Sequence, residues 1–141
     1  MIEFFFNEVE DFEVMEAEVS AWLISIANRY EKSIDYLEIN FWNDEGLNKI
    51  NNSILNHDDY TDIITIDLAG GEKTDKITGE IHISKERVED NAKNNNVAFI
   101  DELHRVIAHG VLHLCGFDDK TDDLKAVMTN QEEIALQLRM F

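Results

Sequence analysis

The sequence has no proline, one cysteine and few basic residues. No function attaches to the missing proline. The lone Cys115 excludes an internal disulfide and fits a reducing cytosol. Only 12 Lys and Arg stand against 30 Asp and Glu, a net charge of -18. That balance argues against broad, non-specific nucleic-acid binding, which needs cationic surface to displace counterions. The acidity is spread along the chain, so its plain meaning is solubility, though it can also help hold cations. Long apolar runs are missing too, and no stretch approaches a membrane span. The opening Met1-Ile2-Glu3-Phe4-Phe5-Phe6 has no basic region and no small-residue cleavage site. It is not expected to be a secretory signal, and a cytoplasmic location is expected. Neither an internal repeat nor a linker is visible.

What is present suffices for a core. Hydrophobic residues make up 44% of 141, which predicts one packed domain over residues 1–141. Met1–Phe6 reads as a short buried strand. Phe12, Met15, Val19, Trp22, Leu23, Ile26 and Tyr30 recur at a helical period, predicting a helix over Val9–Tyr30 with Asp11 as its N-cap. Ser33–Trp42 reads as a strand, and Glu45–Ile54 as a helix capped by Asn43 or Asp44. Thr61–Leu68 and Thr78–Ile83 read as strands paired antiparallel across a turn opened by Gly70-Gly71. Ser84 caps a helix to about Asn94. Phe99–Cys115 is a long helix, and Thr121 or Asp122 caps a last one reaching Leu138. This order predicts an α+β fold, a small mixed sheet of about four strands covered by helices.

The chemistry concentrates at the end of the long helix. His109 and His113 are four apart, so their imidazoles lie on one helical face and can grip one ion. Gly116 can take the left-handed conformation that ends the helix, and Asp119 can then return toward the metal. The pattern H-x-x-x-H-x-x-G-x-x-D shares its spacing with metalloprotease sites, and three protein ligands leave a position open for water. Position 110 is Gly where those proteases carry the Glu base. Gly110 either leaves room above the metal or lets another segment approach closely. The plainer alternative is a pair of half-buried helix histidines with Asp119 capping the last helix. Other residues carry bland readings. Arg105 contacts a phosphate or, more simply, pairs with Glu102. His104 is off the ligand face, His82 points to the far side of its strand, and Met128 lies on a helix. Cys115 packs. Asp118 neighbours the third ligand as a supporting or alternative oxygen.

His109-Gly110-Val111-Leu112-His113-Leu114-Cys115-Gly116-Phe117-Asp118-Asp119 resembles H-G-x-L-H-L-x-G-Y-D-H, the hallmark of the YbeY family of bacterial rRNA maturation factors. Ile50–Ile64 is similar to that family's L-N-x-x-Y-R-x-x-D-x-x-T-D-V-L block, and Gly79-Glu80-Ile81-His82-Ile83-Ser84 to its G-D-I-x-I-S strand. The resemblance implies a zincin-like fold and a metal-dependent, single-strand-specific endoribonuclease. It also implies a role in 16S rRNA 3′-end maturation and ribosome quality control. The implied cofactor is one Zn²⁺ per chain, another divalent metal being compatible, held by His109, His113 and Asp119. The implied partners are the small subunit with its rRNA, and ribosomal or GTPase assembly proteins. Two positions depart from the family. Its third metal-binding His is Asp119 here, and its phosphate-handling Arg falls on Leu55. His57 is the candidate replacement, with Arg105 as a second candidate catalytic residue. Two competing readings are a ribosome- or protein-binding factor with a structural metal, and a metallopeptidase, which Gly110 disfavours.

Overall fold

The structure, a computed structural model, describes residues 1–55, 61–69 and 74–141. The elements run β1 (Ile2–Asn7), α1 (Glu16–Arg29), β2 (Ser33–Trp42), α2 (Asp44–Leu55), β3 (Ile63–Asp67) and β4 (Lys76–Ser84). Three helices follow: α3 (Lys85–Asn94), α4 (Phe99–Leu114) and α5 (Asp122–Gln137). The strands form one mixed sheet in the order β1-β2-β4-β3. β1 and β4 flank β2 in parallel, and β3 closes the sheet antiparallel to β4. The fold is α+β, as the element order predicts.

Alternation explains the sheet. Leu37, Ile39 and Phe41 of β2 face the helices together, and their register partners are Gly79, Ile81 and Ile83 of β4. All but the glycine are core side chains without measurable exposure. Each such Leu or Ile contributes about 1.5–3 kcal/mol by leaving water. Val19, Trp22, Leu23 and Ile26 of α1 complete this core with Leu103, Ile107 and Val111 of α4. α4 runs through the centre, touching α1, α3, α5, β3 and β4.

The predicted helix Val9–Tyr30 begins later than its periodicity suggests. Glu8 and Met15 both take positive φ (55° and 57°), and α1 starts only at Glu16. Asp11 is therefore not its N-cap. The physical reason lies in Phe12, which leaves any helical stripe to insert between Phe6, Phe41 and Phe99 at centroid distances of 5.0–5.9 Å. Val14 is buried and Met15 exposed, the reverse of the predicted phase. Other caps follow expectation. The Ser84 hydroxyl accepts from the Arg87 N–H, and the Thr121 hydroxyl from the Leu124 N–H, each at 3.2 Å.

Candidate metal centre

α4 ends in a hydrogen-bonded reversal. The Gly116 N–H donates to His113 O and the Phe117 N–H to Leu112 O, both at 3.0 Å. Gly116 has φ +110°, and a Cβ there would meet nothing within 4 Å. The backbone angle, not space, is what calls for glycine. The chain then turns through Asp118, whose Oδ1 accepts from the Asp119 and Lys120 N–H groups at 2.7 and 3.1 Å. Asp118 thus shapes the turn, and Asp119 is the acid that returns.

Asp119 Oδ2 lies 3.4 Å from His109 Nε2 and 3.6 Å from His113 Nε2. The three donor atoms fall within 4.8 Å of one another. Tetrahedral zinc with bonds of about 2.0–2.1 Å needs ligand-to-ligand edges of roughly 3.3 Å. The arrangement therefore fits a metal ion on these three side chains, which stay partly exposed on one side.

Gly110 resolves the two readings of its missing side chain. A Cβ would come within 2.8 Å of Ile81 Cδ1 and 3.1 Å of Ile63 Cδ1. The glycine lets α4 sit directly on β3 and β4, so the place of a peptidase's Glu is filled by the sheet.

The histidines face a cleft of about 610 Å³ between β3 and the helices, lined by Thr61 to Thr65, Asp67, Glu102, Arg105, His109, His113, Asp119 and Glu132 among others. Among the described lining residues, five carboxylates face one guanidinium. Arg105 does not rely on Glu102, whose oxygen is 4.0 Å from its Nε. Its stronger partners come from α5: Glu132 Oε1 at 3.3 Å from Nη1, and Glu133 at Nη2. The i,i+3 pair expected from sequence is thus outcompeted by a tertiary one. Burial pushes the Glu102 carboxyl up; Arg105 opposes this, while Asp62 and Glu132 add to it.

Glu132 is the residue that sequence reasoning missed. It is 8% exposed, and its Oε2 lies 2.6 Å from His109 Nδ1. Burial works against protonating His109. The hydrogen bond and charge of Glu132, with the charges of Asp119 and Asp62, still raise its pKa above the ordinary value. One signal was available: Glu132 falls on the buried stripe Met128–Glu132–Ala135 of α5, where a carboxylate needs a partner.

Of the remaining candidates, His57 lies outside the described residues, and Leu55 closes α2. Cys115 packs against the core, and burial lifts its thiol to about 11. His82 is on the sheet face away from the core. It accepts from Trp42 Nε1 at 2.9 Å and turns Nε2 to Glu80 at 2.8 Å. His104 is buried away from the cleft, and Met128 is a core residue of α5.

A family model described as Endoribonuclease YbeY matches residues 4–139. The chain belongs to the YbeY family. It is 45% identical over 139 residues to Endoribonuclease YbeY of Cytophaga hutchinsonii, covering 98% of this chain and 96% of that protein. It is 46% identical over 112 residues to the YbeY of Flavobacterium johnsoniae, covering 79% of this chain and 78% of that protein. The solution structure of a Thermotoga maritima protein superposes with a TM-score of 0.69 at 24% identity, covering 98% of this chain and 88% of the other. That likeness establishes the shared fold. In this chain, the hallmark positions His109 and His113, with Asp119, are the ones that converge on one point.

Proposed function

We propose that this chain is a single-domain, metal-dependent enzyme with the endoribonuclease activity that its relatives' name states. In this reading His109, His113 and Asp119 hold one Zn²⁺. The observation that carries it is the cluster of donor atoms at the cleft: Asp119 Oδ2 lies 3.4 and 3.6 Å from the two Nε2 atoms, close to a tetrahedral edge, and the three residues' ligand atoms fall within 4.8 Å of one another. Two imidazoles and a carboxylate also suit Fe(II) or Mn. When bound, such an ion supplies Lewis acidity, lowering the pKa of water toward ~7 and offsetting charge on a phosphate.

The chain's own residues decide where a polyanion can lie. Asp62, Asp67, Glu102 and Glu132 line the walls and repel loose phosphates. Arg105 is the single Lys or Arg among the described lining residues, and its ties to α5 hold it in place. Among the described residues, a substrate phosphate therefore has its place between Arg105 and the three ligand side chains. His57 stays the candidate for the phosphate-handling role of the family's Arg. We assign the substrate to single-stranded rRNA, in 16S 3′-end maturation and ribosome quality control. The partners are then the small subunit and its ribosomal or GTPase assembly proteins, met in the cytoplasm. No helix among the described residues is long and apolar enough to cross a membrane.

The test is metal content and RNA cleavage by one preparation. Wild type should carry one zinc per chain and cut single-stranded RNA, and His113→Ala should lose both. Cleavage that persists in His113→Ala, or wild type without stoichiometric metal, would overturn the assignment. The peptidase reading has no support at position 110, and unfolded protein should stay intact.

A further inference from the structure

Glu132 makes two contacts at once. Oε2 meets His109 Nδ1 at 2.6 Å, and Oε1 meets Arg105 Nη1 at 3.3 Å. Both partners lie on α4, while Glu132 belongs to α5. A carboxylate this buried is expensive unless both oxygens are satisfied, and here each oxygen has its own donor. The consequence for His109 is a fixed tautomer. With Nδ1 donating its proton to Glu132, Nε2 is left as a lone pair, and Nε2 is the atom turned toward Asp119. His113 Nε2 also faces Asp119, and no carboxylate among the described residues meets its Nδ1. Among these residues the two histidines are unequal: one is held from behind, the other is not.

We propose that Glu132 is a positioning residue for the metal centre, acting through His109: it holds the ring with Nε2 aimed at the ion and makes that nitrogen a stronger donor. This rests on the reading that His109, His113 and Asp119 hold a metal. Arg105 enters the same device from the other oxygen. It neutralises part of the Glu132 charge, so a cationic guanidinium and a neutral imidazole share one carboxylate. A plain strut between α4 and α5 would need only the geometric tie. A positioning carboxylate needs its charge, and needs it at His109.

Three variants separate these. Glu132→Gln keeps the size of the side chain and an acceptor but removes the charge, and it should fold like wild type. Its zinc affinity, measured by competition with a chelating dye, should fall by roughly 10–100-fold. The visible absorption of the Co²⁺-loaded protein should shift at the same time. Glu132→Asp, which restores the charge, should recover part of the affinity. Arg105→Ala should not weaken zinc binding, because it leaves the Glu132 charge wholly to His109. Two outcomes would overturn the inference. One is zinc affinity and a cobalt spectrum unchanged in Glu132→Gln. The other is an equal loss in Arg105→Ala, which would mark a general loosening of the seam. Wild type that binds no stoichiometric zinc would instead remove the functional reading beneath the inference. None of these readouts depends on RNA cleavage.

Discussion

One helix carries three histidines in two media. His104 is 4% exposed, set between the rings of Trp22 and Phe141 at 5.5 and 5.3 Å. Its Nδ1 accepts from Arg139 at 2.8 Å, and its Nε2 has no partner among the described residues. Burial, with the Arg139 charge beside it and Asp101 opposing, holds its pKa down at about 4. Five residues later the helix has turned by about 140°, and His109 opens onto the cleft with His113 a turn beyond. The residue type is the same, yet one ring is a neutral packing element and two are candidate ligands. What differs is the neighbour: aromatic rings on one side, acidic groups and open space on the other. Gly110 belongs to the dry side, where its missing side chain admits β4.

The contrast should break first, and by the largest amount, at Gly110. Gly110→Glu forces a charge into the contact with Ile81 and Ile63, and an unpaired buried charge costs about 3–5 kcal/mol. Urea unfolding should show a loss of that size, and wild-type stability in this variant would show that the face is not closed. His113→Ala on the wet side should do the opposite, removing the zinc and at least ~100-fold of RNA cleavage, more than loss of a supporting residue. Its metal-free melting temperature should barely move.

A third experiment reads the two media through pH. Folded His104, at about 4, holds its proton more weakly than the same group unfolded at ~6.5. Its contribution to stability is therefore full above pH ~6.5. It drains as pH falls toward 4, by an order of magnitude of 3 kcal/mol. The difference between wild type and His104→Gln in urea midpoint, followed from pH 7 to 4, should trace that window. A flat difference would mean His104 is not held neutral. The smallest effect is expected at the end of the helix. Gly116→Ala should cost about 1–2 kcal/mol for the positive φ and weaken zinc binding, because Asp119 is delivered by that turn.

Most of the frame was legible because local chemistry set it. Leu37, Ile39 and Phe41 alternate as a half-covered strand must, and Ser84 and Thr121 announce their helices. Gly116 marks its reversal, and the candidate cluster of His109, His113 and Asp119 could be read because all of it lies within one helix end and the turn after it. What sequence could not show was decided by distant neighbours. Phe12 keeps the period of a helix but obeys Phe41 and Phe99, so α1 starts late. Arg105 has Glu102 at helical spacing but takes Glu132 and Glu133 from another helix. Glu132 itself has no local pattern that ties it to His109, 23 positions earlier. Asp118 and Asp119 are adjacent and chemically alike, and only the hydrogen bonds of the turn tell the builder from the donor.

Strand β3 has a further consequence. It is five residues long and, among the described residues, has a neighbour on one side only. Open edges of this kind invite another chain to add a strand and start aggregation. Here the strand borders the acidic cleft and ends at Asp67. A second copy docking edge to edge would bring its own Asp62 and Asp67 close to the carboxylates of this cleft, in a protein already carrying a charge of -18. The acidity that makes a polyanionic substrate hard to receive also works against pairing along this edge.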